Sequence, residues 1–363
     1  MLESRSLDGC SRIFRRAAVK PVFSLTTENV FTLITLVDAS RADKHSHRHL
    51  WYRYKEFNRL FRVVDIRKYR ASENTAEVVI LDRFAMFAAL YFEGLPYQTL
   101  LDRLAGTRNL VFMTSDLHYW SIFPQNVDAE IFTRKTLSPA DNQYDQLFEM
   151  FDHLGIRHLI TNYDCPELTR IRSLRPALNT YVIDLHVDTD IFRDYGLRKK
   201  YDLIVYGSLA PQVYPFRARV CRLLTTSRQF KTLYVKSPPA RFRRSIFGKR
   251  LARKINQSRL ALATVSNFDY LVEKYFEIPS CRSVVLGNMN SQGRSIFGND
   301  YVHIDNLMTD RQILGVIGDA LADRTRLQML ADKMYGVMQS TYTMTENERK
   351  LFELARQISQ MLC

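Results

Sequence analysis

Short apolar runs alternate along the chain with segments in which apolar residues recur at every third or fourth position. Continuous runs rich in β-branched residues are typical of strands that are covered by helices on both faces. They predict strands at 31–38, 77–82, 109–116, 157–164, 180–188, 201–208, 231–236, 260–266, 283–288 and 301–305. Helical spacing predicts helices within 84–105, 214–228, 248–259 and 311–338.

The regular alternation of strand and helix in each half of the chain predicts an α/β protein. We expect two Rossmann-like lobes with parallel sheets, a cleft between them and a C-terminal helix. The polar segment 186–200 separates the two series of strands. We therefore predict a first lobe at 1–190, a second lobe at 200–340, and a helix at 341–363 that packs back toward the first lobe.

The composition is that of a folded globular protein, with 363 residues, 46% apolar and 25% charged. No apolar run is long enough to span a membrane, and the first twenty residues lack the apolar core of a secretory signal. The five cysteines are scattered and show no Cys-x-x-Cys spacing. These features predict a cytoplasmic protein and argue against a disulfide framework and a zinc site.

The net charge of +14 is concentrated in one part of the chain. Residues 201–260 contain 14 Lys and Arg against a single acid, Asp202. Such a block predicts an anionic partner, which can be a phosphorylated small molecule, an anionic membrane or a nucleic acid; a solvated basic surface is the alternative. The basic segment 241–254 favours peripheral contact with a membrane. Nucleic-acid binding is the least favoured, because no recognised motif accompanies the charge.

Ligands of open parallel sheets bind beyond the carboxyl ends of the strands. In "YDLIVYGSLAPQVYPFRARV" (201–220) a predicted strand ends at Gly207 and Ser208, and Arg217 lies in the first turn of the following helix. Glycine lets the backbone approach a ligand closely, and an arginine at a helix start favours anions, so this stretch predicts a phosphate site. The alternative is a plain strand-turn-helix unit with a solvent-facing arginine.

The stretch "DYLVEKYFEIPSCRSVVLGN" (269–288) places Lys274 and Glu277 three residues apart, before another predicted strand. A carboxylate can accept hydrogen bonds from two ribose hydroxyls, and a lysine can contact a diphosphate. The alternative is an ion pair on the surface of a helix.

In the first lobe, "MTSDLHYW" (113–120) ends an apolar run with Asp116 and His118. Either residue can serve as a catalytic base toward an acceptor hydroxyl, although a packed, hydrogen-bonded histidine is the simpler interpretation.

Two patterns in the sequence suggest metal binding. "HSHRH" (45–49) is better explained as a solvated loop, and the Asp188-x-Asp190 pair lies in the segment between the lobes. We expect no obligatory cofactor and no metal site.

The second half of the chain contains four blocks in order: "YDLIVYGSLAPQVYPFRARVCRLL", "GKRLARKINQSRLALATVS", "VEKYFEIPSCRSVVLGN" and the helical end of the chain. Together these blocks resemble the donor-binding half of GT-B glycosyltransferases. The greatest likeness is to group 1 enzymes of the spore-maturation type. The resemblance covers about 200–355 and implies a hexosyltransferase that uses a nucleotide-diphosphate sugar without a metal. The acceptor and the stereochemistry are left open.

The resemblance implies a role for each candidate residue of the second lobe. Gly207, Ser208 and Arg217 would lie beside the donor phosphates, Lys274 would face the diphosphate or the sugar, and Glu277 would bind the ribose. Three positions depart from the family pattern. Arg282 stands where the family has a glycine, Cys281 stands where it has alanine or serine, and Asp269 lies eight positions before Glu277, where many related enzymes have a glutamate. An arginine that blocks the pocket would make the chain an inactive nucleotide- or glycan-binding relative, which is the alternative function.

Overall fold

The computed structural model describes residues 31–35, 60–66, 68–71, 78–83, 85–86, 90, 95–117, 144–235, 246 and 248–362. Statements about structure below refer to these residues. Among them, no helix is both long enough and apolar enough to cross a lipid bilayer.

The first lobe is built on a sheet of six strands, all paired in parallel. They are β1 (Thr32–Thr35), β2 (Arg62–Asp65), β3 (Val78–Asp82), β4 (Asn109–Thr114), β5 (His158–Thr161) and β6 (Asn179–Val182). Their spatial order is β2-β1-β3-β4-β5-β6. Every residue of β3 is buried, as expected for a central strand covered on both faces. The described helices of this lobe are α1 (Tyr97–Leu104), α2 (Asp145–Leu154) and α3 (Pro166–Leu174).

The second lobe is built on a parallel sheet of five strands. They are β7 (Tyr201–Tyr206), β8 (Thr232–Val235), β9 (Ser258–Leu262), β10 (Val284–Gly287) and β11 (Val302–His303), in the spatial order β11-β10-β9-β7-β8. The helices are α4 (Pro215–Ser227), α5 (Gly248–Asn256), α6 (Lys274–Ser280), α7 (Ser291–Phe297), α8 (Asp310–Ala322) and α9 (Arg324–Thr341).

The last helix, α10 (Met344–Leu362), packs on the sheet of the first lobe. Its apolar side belongs to the same core cluster as β1 and β3, and the ring of Phe352 lies 5.1 Å from that of Phe31. The buried carboxylate of Glu348 accepts a hydrogen bond from the backbone N–H of Leu60 at 2.9 Å. The last helix therefore stabilises the first lobe.

Contacts between the two lobes are made by residues that follow the strands. The ring of Tyr163, after β5, stacks on that of Tyr270 at 4.3 Å, and the Tyr270 hydroxyl accepts a hydrogen bond from the backbone N–H of Leu117. Gln292, in α7, donates to the carbonyl of Asn162 and to the carboxylate of Asp184. These contacts bring the carboxyl edges of the two sheets toward each other.

The predicted fold class is confirmed, because both halves form parallel sheets with surrounding helices. The strands are shorter than predicted, since each apolar run continues into the loop that leaves the sheet. The sequence analysis missed β2 and treated 311–338 as one segment, which the structure divides at Asp323 into α8 and α9. The side chain of Asp323 accepts a hydrogen bond from the N–H of Arg326 and so caps α9.

Candidate functional site

The strand order of the second lobe creates a crevice between β7 and β9. The chain passes from β7 to β8 on one side and then returns to place β9 on the other side. The loops that leave the carboxyl ends of β7 and β9 therefore diverge, which is where open α/β sheets bind their ligands. Gly207 and Ser208 follow β7, and Thr264 follows β9.

Gly207 has a backbone conformation and surroundings that suit glycine. Its φ of +79° lies in the left-handed region, and a Cβ atom at this position would lie 2.4 Å from Nζ of Lys274. A larger residue would therefore be strained and would also displace the lysine. The glycine predicted from the sequence thus allows the β7 loop to contact Lys274.

Lys274 is buried at the start of α6, with 8% of its surface exposed. Its ammonium group donates a hydrogen bond to the carbonyl of Tyr206 and lies 4.3 Å from the centre of the same residue's ring. Burial, followed by the nearby charge of Arg217, holds the pKa of Lys274 well below its usual value, while Glu277 opposes this effect. An anion bound here would favour the charged lysine.

Arg217 is almost completely buried, with 1% of its surface exposed. Its guanidinium donates to the carbonyls of Ser208 and Thr264 at 3.1 and 2.9 Å and lies 3.7 Å from the centre of the Tyr214 ring. Its Nε and the hydroxyl of Thr264 have no hydrogen-bond partner among the described residues. Because buried polar groups are normally paired, two unpaired groups at one strand edge indicate a place for a polar ligand.

The carboxylate of Glu277 is partly buried in α6. It accepts a hydrogen bond from the Tyr206 hydroxyl at 3.0 Å. Burial, followed by the charge of Glu273, raises the pKa of Glu277 to about 7, although the Tyr206 hydrogen bond and Lys274 lower it. The group therefore changes charge close to neutral pH.

Tyr206 contacts both charged residues of α6, and the sequence analysis missed it. Its ring and carbonyl contact the ammonium of Lys274, while its hydroxyl contacts Glu277. Its position as the last residue of β7, next to Gly207, is the signal that could have identified it.

Four of the predicted donor-site residues thus converge on one crevice. Gly207, Arg217, Lys274 and Glu277 are connected by direct contacts or by electrostatic effects on one another. The carbonyl of Ser208 contributes to this network through Arg217, and its side chain is turned toward the N–H of Ala210 at 3.3 Å. Two buried cations beside an ionisable carboxyl can bind an anionic group and a neighbouring hydroxylated ring.

Asp116 follows β4 of the first lobe, next to Leu117, whose backbone N–H donates to Tyr270 of the second lobe. The carbonyl of Asp116 accepts hydrogen bonds from Arg83 and from the Thr114 hydroxyl. Burial raises the pKa of Tyr214 in the second lobe; the charge of Arg217 lowers this pKa and that of Asp116 raises it. His118, the other predicted catalytic residue, lies outside the described residues.

Arg282 does not enter the crevice. It precedes β10, so it lies at the amino edge of the second sheet, opposite Gly207. Its side chain forms ion pairs with Asp194 at 3.3 Å and Asp332 at 3.1 Å. Its φ of 49° is left-handed, as is common just after a helix, and this explains why a glycine suits the position. The Arg282 side chain is held by these carboxylates and does not block the crevice.

The two patterns that suggested metals provide no cation site in the described part of the chain. Among the described residues, no group of three or more His, Cys, Asp and Glu could hold a metal ion. A carboxylate oxygen of Asp188 accepts a hydrogen bond from the backbone N–H of Asp190 at 3.0 Å, as in a turn. The HSHRH stretch lies outside the described residues.

Comparison with known proteins identifies the fold. No family model matches the chain, and no curated protein matches it. The solved structures that resemble the chain include three with TM-scores above 0.5. TarM has a TM-score of 0.52 and 11% identity over 78% of this chain. An alpha-glucosyltransferase in complex with UDP and a 13-mer DNA containing a HMU base has a TM-score of 0.51 and 8% identity over 90% of this chain. HepE from Anabaena in complex with UDP has a TM-score of 0.51 and 10% identity over 91% of this chain.

At such low identities the likeness shows the fold alone, and that fold is GT-B. The GT-B expectation from the sequence is therefore confirmed, whereas membership of the spore-maturation type stays a prediction. The chain spans 56% of TarM and 57% of the pneumococcal O-GlcNAc transferase GtfA, which is also similar. It covers 100% of both the alpha-glucosyltransferase and HepE.

Proposed function

We propose that the chain is a glycosyltransferase that moves a hexosyl group from a nucleotide-diphosphate sugar to an acceptor, without a metal ion. The observation that carries this proposal is the crevice between β7 and β9, where Arg217 and Lys274 are buried beside Gly207 and Glu277. The two basic side chains donate to the carbonyls of Ser208, Thr264 and Tyr206, and burying such groups is costly to a folded protein unless an anionic ligand uses them.

Each residue has a role in binding the donor. Arg217 and Lys274 bind the diphosphate, and Gly207 lets the backbone approach it. Glu277, in its ionised form, accepts hydrogen bonds from the ribose hydroxyls. Fixed positive groups at the diphosphate would stabilise the negative charge that develops on the departing nucleotide, which is the task a metal ion performs in other transferases.

The first lobe supplies the acceptor side. Asp116 follows β4 at the carboxyl edge of the first sheet and is our candidate for the base that accepts the proton of the acceptor hydroxyl, with His118 as the second candidate. The spore-maturation type of enzyme remains our proposal for the subfamily, on the strength of the four sequence blocks.

Uridine nucleotides are the first donors to test. HepE and the alpha-glucosyltransferase were both solved with UDP, and they share the fold of this chain over their whole length. The hypothesis of an inactive relative rested on Arg282, and the position of that side chain at the opposite edge of the sheet removes this support.

A thermal-unfolding screen with UDP, GDP, CMP and dTDP tests the donor site. A nucleotide at 100 times its dissociation constant should add about 2.7 kcal/mol to the free energy of unfolding. We expect one nucleotide to do so in the parent and not in Glu277→Ala, whereas the exposed control Glu149→Ala should behave like the parent. No response to any nucleotide would contradict the proposal.

Turnover is tested with the sugar nucleotide of the base that binds, by following release of the nucleoside diphosphate in the presence of EDTA. Release that EDTA leaves unchanged supports a metal-independent transferase. Nucleotide binding without release, with or without divalent cations and across a panel of sugars and acceptors, would instead favour the binding protein.

A further inference from the structure

Six basic residues on one flank of the second lobe form a surface that the candidate site does not use. Three are in the segment that enters β7 and three are on α5, and all six are exposed. This basic strip consists of Arg193, Arg198, Lys200, Lys249, Arg250 and Arg253.

Direct contacts hold the two halves of the strip together. The entering segment runs beside the end of α5, because the N–H of Leu197 donates to the Asn256 side chain at 3.0 Å. The ring of Tyr195 lies between two guanidinium groups, at 5.3 Å from that of Arg193 and 5.4 Å from that of Arg253. The strip is therefore one continuous surface in the folded chain, although its halves are some fifty residues apart in sequence.

The local structure turns these charges toward solvent. Leu251, Ala252 and Ile255 bury one side of α5 in the core, so the helical spacing sends the basic residues to the opposite side. In the extended segment, alternation exposes Arg198 and Lys200, while Lys199 points inward and donates to the carbonyl of Arg282.

The charges of the strip are not neutralised by the described part of the chain. No ion pair between described residues uses any of the six, and the nearby carboxylate of Asp194 is paired with Arg282. Six like charges on one flank repel one another and are typical of a surface that meets a polyanion.

The location and chemistry of the strip distinguish between polyanions. Lys200 directly precedes β7, so that half of the strip lies at the amino edge of the sheet, opposite the candidate site. A polyanionic acceptor bound at the candidate site would have to reach the carboxyl edge of the sheet, so this half of the strip lies at the wrong edge to hold it. The ring of Tyr195 is covered by guanidinium groups and is not a platform for stacking nucleic-acid bases.

We propose that the basic strip docks the protein on an anionic phospholipid bilayer by electrostatic contact, with the cleft left open to solvent. The strip has no exposed large apolar side chain among its described residues, so the contact needs no insertion into the hydrocarbon. This proposal does not depend on the proposed transferase activity.

Vesicle sedimentation of the full chain tests the proposal. Vesicles of phosphatidylcholine that contain about 30% phosphatidylglycerol have a negative surface. They are compared with vesicles of pure phosphatidylcholine at about 0.1 M salt. We expect the parent to bind only the anionic vesicles. Each basic residue near such a surface contributes about five-fold, so Arg198→Gln, Lys200→Gln, Arg250→Gln and Arg253→Gln together should weaken binding about 10²- to 10³-fold.

A matched control removes the same number of charges elsewhere. The control variant changes exposed residues of α4, α8 and α9, and it combines Arg222→Gln, Arg311→Gln, Arg324→Gln and Arg326→Gln. We expect its binding to anionic vesicles to weaken by about ten-fold or less. Both variants should keep the parent's thermal unfolding and UDP response, which separates this test from that of the donor site. The proposal would be overturned if the parent did not bind anionic vesicles, or if the two variants lost vesicle binding equally. It would also be overturned if the strip variant lost binding to a 20-nucleotide DNA but kept its binding to anionic vesicles.

Discussion

The substitution Tyr206→Phe removes one hydroxyl group from the centre of the candidate donor site. Phenylalanine keeps the ring and the carbonyl that contact the ammonium of Lys274. It loses only the hydrogen bond at 3.0 Å to the carboxylate of Glu277. The change therefore separates the role of Tyr206 toward Glu277 from its role toward Lys274.

The expected effect follows from the charge of Glu277. A hydrogen bond to a charged group contributes about 1.5–3 kcal/mol, and 1.36 kcal/mol corresponds to one pH unit, so the midpoint of ionisation should rise by about 1–2 pH units. Because the pKa of Glu277 is about 7, the parent carboxyl is about half ionised at pH 7. The variant would be about 1–10% ionised at that pH, so the Kd for UDP should increase about 5- to 50-fold.

The assay is calorimetric titration with UDP from about pH 5.5 to about pH 9.5, which spans the expected midpoints of the parent and the variant. We expect the affinity of the parent to rise through pH 7 and that of Tyr206→Phe to rise at higher pH and reach the parent's value. Glu277→Gln should bind weakly at every pH. Tyr301→Phe, which loses a hydroxyl bonded to His303 in the same lobe, serves as the control. An unchanged midpoint in Tyr206→Phe would refute the reasoning.

Three further predictions concern single residues. Gly207→Ala should be destabilised by more than the about 1 kcal/mol expected for Gly155→Ala, as measured by denaturant unfolding, and should bind UDP at least about ten-fold more weakly, because both have left-handed backbones but only Gly207 contacts Lys274. Asp116→Asn should lower kcat by about 10²- to 10⁴-fold with the Kd for UDP unchanged, whereas the exposed Asp102→Asn should alter neither; equal rates would exclude Asp116 as the base. Because the pKa of Glu277 is raised from 4.5 to about 7, its contribution to stability is greatest below pH 4.5 and is lost as the pH rises to 7. The unfolding free energy of Glu277→Gln relative to the parent should therefore increase by about 1–3 kcal/mol over that interval, and a constant difference would show that the carboxyl is not perturbed.

Much of the fold was predictable because parallel strands leave a simple signal. Buried runs such as Val78–Asp82 and 203–206 are continuously apolar or end in a single polar residue, and they stand out between helical segments. The strand β2 was missed, because Arg62–Asp65 has two charged ends and an exposed, partly buried pattern typical of a sheet edge. Its pairing with β1 is fixed by tertiary structure, which a local pattern does not contain.

The candidate site was predictable to the extent that its residues directly follow strands. Gly207 and Arg217 were found because a strand end followed by a helix start has a sequence pattern of its own. Tyr206 and Thr264 were missed, because an aromatic residue or a threonine at the end of an apolar run is indistinguishable in sequence from a residue of the core. Arg282 was misinterpreted, because the family pattern was followed although this residue directly precedes the strand predicted at 283–288, which places it at the amino edge of the sheet.

The helix α10 gives the first lobe a core that is discontinuous in sequence. The bond between Leu60 and Glu348 joins residues 288 positions apart, and Phe352 completes an aromatic cluster with Phe31 and Phe61. During synthesis the ribosome must therefore deliver the whole second lobe before the first can close its core. The nascent first lobe would expose the underside of β1 and β3 until that moment, so chaperone dependence and the cooperativity of unfolding are properties of the entire chain and not of its halves.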